Sequence, residues 1–193
     1  IQERTAFWSV NQIHTHFKNQ FPTFTQLDYP METNVDIGLQ GGCNAFYSGG
    51  TINFLEEDGG CQSTANIPDV AYHEYGHAIN DFRYNSGGSL WNGACGEGFA
   101  DIWALSLTEY PVLGEGWLLN DPNSNVREYD SVIKVYPQDL VGEVHADGEI
   151  ICGAFWDTYL NLGNMQQALD LFTALYDGGP DGPNGTEGII YTD

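Results

Sequence analysis

The stretch His73-Glu74-Tyr75-Gly76-His77 follows the pattern H-E-x-x-H and sits in a run, residues 68–82, that opens with helical signals. Pro68 suits a first helical turn, where its missing N–H costs nothing, and Asp69 suits the positive end of the helix dipole. Residues four apart on a helix face the same way, so His73 and His77 present two imidazoles to one point, where a zinc ion can be shared. Glu74, one position on, lies beside them within reach of a water molecule. The same pattern also occurs on ordinary surface helices, so its surroundings must supply the rest.

A metal centre that performs chemistry has three protein ligands and an open position. Twenty residues after His77 comes Gly96-Glu97-Gly98-Phe99-Ala100-Asp101. That is enough chain to reverse direction and lay a second helix beside the first, predicted over residues 97–110 and stopped by Pro111. Glu97 is the third ligand. Asp101, one turn later on the same face, is placed to accept the outer N–H of a ligand histidine and fix its tautomer. An acidic pair at this spacing is otherwise a mildly repulsive surface feature, but after H-E-x-x-H and a turn the metal reading outweighs it. Two imidazoles and a carboxylate suit zinc better than calcium.

Working outward, residues 5–19 place Phe7, Val10, His14 and Phe17 at helical spacing, with Pro22 and Pro30 marking the exit. His14 and His16, two apart, face different sides and read as packing or surface residues. Residues 35–55 turn to strand chemistry: an alternating run, then Asn44-Ala45-Phe46-Tyr47, a turn at Ser48-Gly49-Gly50, and Thr51-Ile52-Asn53-Phe54, which together predict a hairpin. A glycine-rich loop over 85–96 separates the two metal-binding helices, and residues 112–142 read as irregular. Helices resume over 149–161 and 165–176, the latter with the apolar stripe Met165, Ala168, Leu169, Phe172 and Leu175. Residues 177–185 form a turn-rich loop, and there is no internal repeat.

The chain has 193 residues with 27 acidic and 5 basic side chains, a formal net charge of -22, and its few lysines and arginines are scattered singly. This excludes nucleic acid and acidic membranes as partners, since phosphate binding needs clustered Lys and Arg. Most of the carboxylates read as a solvated acidic face. The hydrophobic content of 41% supports a core, and no apolar run reaches the roughly 18 residues of a spanning helix. The chain starts at Ile1, and residues 1–20 lack the pattern of a signal peptide; together with an end that reads as mid-element, this suggests a piece of something longer. Four cysteines fit two disulfides in an exported protein, and sequence alone allows three pairings. Cys43 and Cys61 bracket the hairpin and make the natural first pair, which leaves Cys95 with Cys152.

The combination His73-Glu74-x-x-His77 and Gly96-Glu97-Gly98-x-x-Asp101 resembles the fungalysin family of secreted zinc endopeptidases, relatives of thermolysin. Three more stretches extend the likeness over about residues 35–160. Glu143-Val144-His145-Ala146-Asp147-Gly148-Glu149-Ile150 is similar to the stretch carrying that family's second active-site histidine. Asn44-Ala45-Phe46-Tyr47 resembles thermolysin's substrate-pairing edge strand, and Val126-Arg127-Glu128-Tyr129 the arginine segment beside the primed-side pocket. The interval from His77 to Glu97 is closer to that of thermolysin, whereas Gly-Glu-Gly is unlike it, a mixture that a bacterial branch would explain. The chain is shorter than either catalytic unit.

The resemblance implies an α+β fold: a thermolysin-like (zincin) catalytic domain over residues 1–193, with a hairpin-bearing N-terminal part (1–68), a mainly helical part (69–193), a zinc cleft between them, and missing flanks. It implies one catalytic zinc on His73, His77 and Glu97, Glu74 as general base, His145 as donor to the developing oxyanion, and Asn44, Ala45, Phe46 and Arg127 at the substrate. Calcium is a second expectation. Asp69 stands where thermolysin has a calcium-binding aspartate, Glu109 follows Asp101, and Asp121, Asn123 and Asn125 alternate oxygen side chains in a loop, the ligand type calcium prefers, although such clusters are also ordinary turns. The function implied is a secreted, monomeric zinc endopeptidase acting on proteins or peptides and made with a removed N-terminal propeptide. One alternative is a gluzincin aminopeptidase, which needs an acidic motif gripping the substrate amine; none stands before His73. Another is a calcium-stabilised secreted binding module with a zinc site, against which Glu74 argues, because a structural site has no use for a general base.

Overall fold

A computed structural model describes residues 1–38, 42–84 and 92–178. The fold is α+β, as expected. Helix α1, Gln2–Gln20, buries Ala6, Ser9, Ile13 and Phe17, while Phe7 is 72% exposed and Val10 and His14 are half-buried. The inward stripe is thus rotated from the predicted one. The aromatic Phe7 drew the sequence reading, but the small side chains of Ala6 and Ser9 are what let the helix sit close against its neighbours.

Strands β1 (Glu32–Ile37), β2 (Ala45–Ser48) and β3 (Thr51–Leu55) form one sheet in the order β1-β3-β2, with β3 antiparallel to β2 and parallel to β1. The hairpin is the predicted one. Gly49 and Gly50 both have positive φ (57° and 84°), the signature of a two-residue type I′ turn. Such a turn closes on a hydrogen-bonded pair, Ser48 with Thr51, and hydrogen-bonded pairs alternate along an antiparallel ladder. The next is therefore Phe46 with Asn53, and Ala45 and Tyr47 direct their backbone N–H and C=O to the open edge of β2.

Helices α2 (Pro68–Tyr84) and α3 (Gly93–Thr108) lie side by side. A Cβ on Gly76 would fall 2.6 Å from Ala100 Cα, so glycine inside H-E-x-x-H is what permits this approach. Helix α3 starts a turn before the predicted 97, because the Asn92 side chain accepts the Cys95 N–H at 3.2 Å and caps it. After a two-stranded ribbon, β4 (Val112–Leu113) with β5 (Arg127–Glu128), inside the segment expected to be irregular, come α4 (Val144–Leu162) and α5 (Met165–Gly178). Helix α4 also begins earlier than predicted: Glu143 accepts the Ala146 N–H at 2.9 Å, which brings His145 into the first turn. The buried indole of Trp103 on α3 meets Phe17, Phe172 and Tyr176 edge-on, uniting α1, α3 and α5 in one aromatic core.

Cys43 and Cys61 form the expected disulfide across 18 positions, a closure worth about 3 kcal/mol in the chain-entropy account. The second expected pair is not formed: Cys95 and Cys152 are buried and not bonded to each other. Burial pushes the Cys152 thiol pKa up. Helices α3 and α4 are held without a cross-link by a glycine contact, where a Cβ on Gly98 would lie 2.6 Å from Gly148 O. Elimination from an even cysteine count could not see that packing. Most of the 85–96 loop and of the 177–185 tail lies outside the described residues. Among those described, no helix is long and apolar enough to cross a membrane.

Candidate metal centre and cleft

Both histidines of α2 and the glutamate of α3 converge as their spacing predicts. His73 Nε2 and His77 Nε2 are 3.0 Å apart, His73 Nε2 and Glu97 Oε2 3.3 Å, and His77 Nε2 and Glu97 Oε1 3.5 Å. Among the described residues this is the single group of three or more His, Cys, Asp or Glu side chains disposed to hold a metal ion.

Two observations test whether a metal fits. A tetrahedral centre with ligand distances of about 2.0–2.1 Å has donor–donor edges of about 3.3–3.4 Å, and the three separations bracket that value. Glu97 Oε2 is moreover buried without a hydrogen-bond partner of good geometry, although His73 Nε2 is near. The donors thus point at a common centre more than at one another. With nitrogen donors and one carboxylate, zinc fits.

Behind His73 lies the group that orients it. Asp101 Oδ1 is 2.5 Å from His73 Nδ1, and Asp101 also accepts Arg127 Nε (2.6 Å), Arg127 Nη2 (2.9 Å) and the Tyr129 hydroxyl. A donor at Nδ1 leaves the Nε2 lone pair turned to the metal position. Burial opposes a charge on His73, but Asp101, helped by Glu97 and Glu74, outweighs it and pushes the pKa up to about 10. Burial would raise Asp101, yet Arg127 and His73 hold it well below the usual carboxylate range. Burial would raise Glu97 as well, yet the imidazoles of His73 and His77 beside it hold it well below the usual carboxylate range.

These residues floor a cleft of about 510 Å³ that Glu74, Arg127 and His145 also line. Asn44, Ala45, Phe46 and Tyr47 form its opposite side, so the open edge of β2 faces it. Glu74 is buried. Arg127 is at the cleft but turns its guanidinium inward to Asp101. His145 stands across from α2, with Nε2 3.6 Å from Glu97 Oε2 and Nδ1 2.7 Å from Glu143 Oε1. The hydrogen bond to His145 and the Ala146 N–H hold exposed Glu143 at a pKa of about 2.

Three residues within the stretches quoted above carry parts that the sequence alone did not assign to them. Glu143 both caps α4 and orients His145; its position two residues before that histidine was the available signal. Tyr129 completes the cage around Asp101, and Tyr47 adds the second outward-facing backbone position of β2 while its hydroxyl donates to Asp81 at 2.8 Å. The histidines set aside as packing residues do pack: His14 Nδ1 is 2.7 Å from the Tyr75 hydroxyl and His16 Nε2 2.8 Å from Ser106 Oγ.

The calcium expectation gains no support. Asp69, Glu109 and Asp121 form no metal-holding group among the described residues. Asp69 Oδ2 accepts the Gly114 N–H at 3.0 Å, Asp121 Oδ1 accepts the Asn123 N–H at 3.0 Å in a turn, and Glu109 is an exposed helix C-cap. Asn123 and Asn125 are exposed in that same loop.

Neither a family model nor a curated protein matches the sequence. Among solved structures the fold is similar to that of the precursor of protealysin, a metalloproteinase from Serratia proteamaculans. The TM-score is 0.69 at 18% sequence identity, and the match covers 90% of this chain and 64% of that one. The chain thus spans just under two thirds of the structure it resembles.

Proposed function

We propose that residues 1–193 form the catalytic domain of a zinc-dependent endopeptidase of the fungalysin and thermolysin type, secreted as a monomer and made with a propeptide that is removed. The observation that carries this reading is the convergence of His73, His77 and Glu97 at tetrahedral separations, with buried Glu74 opening on the same cleft as an unpaired strand edge. The likeness to a metalloproteinase precursor supports it.

His73, His77 and Glu97 would hold the ion, which supplies Lewis acidity toward a carbonyl and acidifies water when bound. Asp101 keeps His73 in the tautomer that presents Nε2. An extended substrate pairs with the outward N–H and C=O groups of Ala45 and Tyr47, adding a strand to the sheet. Glu74 accepts a proton from the attacking water and returns it to the departing amine. His145, held at Nδ1 by Glu143, donates from Nε2 to the carbonyl oxygen as negative charge develops there.

The test separates catalysis from mere metal binding. Glu74→Gln should bind zinc like the parent but cut a blocked internal peptide at least about 10²–10⁴-fold more slowly, because an amide cannot take the proton; Glu97→Gln should instead weaken zinc binding. A Glu74→Gln protein that cleaves at near-parent rate would remove the H-E-x-x-H helix from the chemistry.

A further inference from the structure

The disulfide stands at the cleft as well as at the hairpin. Cys43 lines the cavity immediately before Asn44, the residue from which β2 continues along it. Cys61 is completely buried in a platform stitched to the 116–119 segment: Gln62 N donates to Trp117 O (2.9 Å), Gln62 Nε2 to Gly116 O (2.7 Å) and Leu119 N to Gly60 O (2.9 Å), and Cys61 forms a β-bridge with Leu118. Trp117 also lines the cavity. The sulfur–sulfur bond thus joins the edge-strand wall of the cleft to the wall that carries Trp117.

The approach to Cys43 is bent for this purpose. Gly42 and Cys43 both lie in the left-handed region, with φ of 49° and 54°. A Cβ on Gly42 would be 2.7 Å from Asp58 O, so the bend is pressed against the 58–60 turn. A non-glycine residue at such a φ is unfavourable by itself and persists where its surroundings hold it. Further along, β2 is held by the Leu55 N–H and the Thr64 hydroxyl donating to Asn44 O (3.2 and 2.9 Å), and by Tyr47 donating to Asp81.

From this geometry we infer that Cys43–Cys61 is a strut that positions β2 for substrate: it sets substrate affinity, and neither the metal centre nor the overall fold depends on it. The inference rests on the peptidase reading for its substrate. Its mechanical part concerns β2 alone. The centre lies on α2 and α3, which contribute no residue to the strut, so metal binding and strand position are separable.

The test compares the zinc-loaded parent with Cys43→Ala/Cys61→Ala and with the parent treated with a phosphine reductant, chosen because dithiols strip zinc. The expected result is a KM for a blocked peptide spanning the cleft raised roughly tenfold, with kcat within about twofold. One equivalent of zinc should be retained, and amide exchange at Phe46 and Ser48, whose N–H groups face β3, should be faster by about tenfold or more with α2 amides unchanged. An unchanged KM with zinc retained overturns the strut. So does global unfolding under both treatments, since the bond would then be a staple for the whole chain. If the parent cleaves no peptide, the peptidase reading fails separately, and the exchange rates of the Phe46 and Ser48 amides alone decide the strut: unchanged rates sink it.

Discussion

The floor of the cleft and its rim are built by opposite means. The floor comes from two helices pressed together at a glycine, and His73, Glu74 and Asp101 are almost wholly buried there. The Asp101 carboxylate is answered from three sides, by Arg127, His73 and Tyr129. The rim consists of a four-residue edge strand tied by a disulfide and of the segment leading to His145. Val132, Ile133, Val135 and Val141 are exposed in that segment, and the side chains of Glu143 and His145 are more than half exposed. The difference teaches where rigidity is needed. On the proposed function, the floor moves a proton and must be held to a fraction of an ångström by its supporting shell, whereas the rim would accept extended chains and can rest on backbone edges and a few anchors.

The largest effect is expected at Asp101. Removal by Asp101→Ala leaves Arg127 and His73 as buried charges without their partner, so stability at neutral pH should fall by about 3–5 kcal/mol, and zinc affinity by roughly 10–100-fold through loss of His73 orientation. Denaturant midpoints and chelator competition measure the two effects. A loss below about 1 kcal/mol would mean that the floor is not an interlocked charge network.

The next effect sits behind the floor. Burial lowers the pKa of His16, against Ser106 and Trp103, to about 4. Because this folded value lies below the ordinary 6.5, the unfolded chain takes the proton first. Stability is therefore full above about pH 6.5 and is lost as pH falls toward 4, by about 2–3 kcal/mol for this group. Urea midpoints across that range should show the slope, and His16→Gln should flatten it; an identical slope in the variant would assign the acid sensitivity to other groups.

The smallest effect on stability belongs to the rim. Glu143→Gln breaks an exposed contact, so the melting free energy should move by less than about 1 kcal/mol, while kcat drops as His145 loses the partner at Nδ1. Calorimetry beside steady-state kinetics reads both. A stability loss above about 2 kcal/mol would show the rim to be as tightly built as the floor.

The candidate metal-binding triad was legible because its geometry is local. His73 and His77 share a face through the helical repeat, and Glu97 and Asp101 repeat that logic on the next helix. The hairpin was legible for a similar reason, since two glycines of positive φ close it. Helix starts were misjudged where the cap was unusual, Glu143, or lay in a glycine-rich stretch, Asn92. The fault at α1 was one of phase: Phe7 looked like core, but the inward face is decided by which residues let neighbouring helices approach.

Spacing along the chain was enough for the helix carrying the two histidines, for the glutamate that joins them and for the hairpin. Only the tertiary structure decided that β1 joins β3 as a parallel partner, that Arg127 and Tyr129 close around Asp101, that Cys95 and Cys152 stay unbridged, and that the disulfide at Cys43 borders the cleft. Each of these depends on segments far apart in sequence being packed together. Chain periodicity carries no record of which distant surfaces meet, because that choice is made by the fit of side chains within the core.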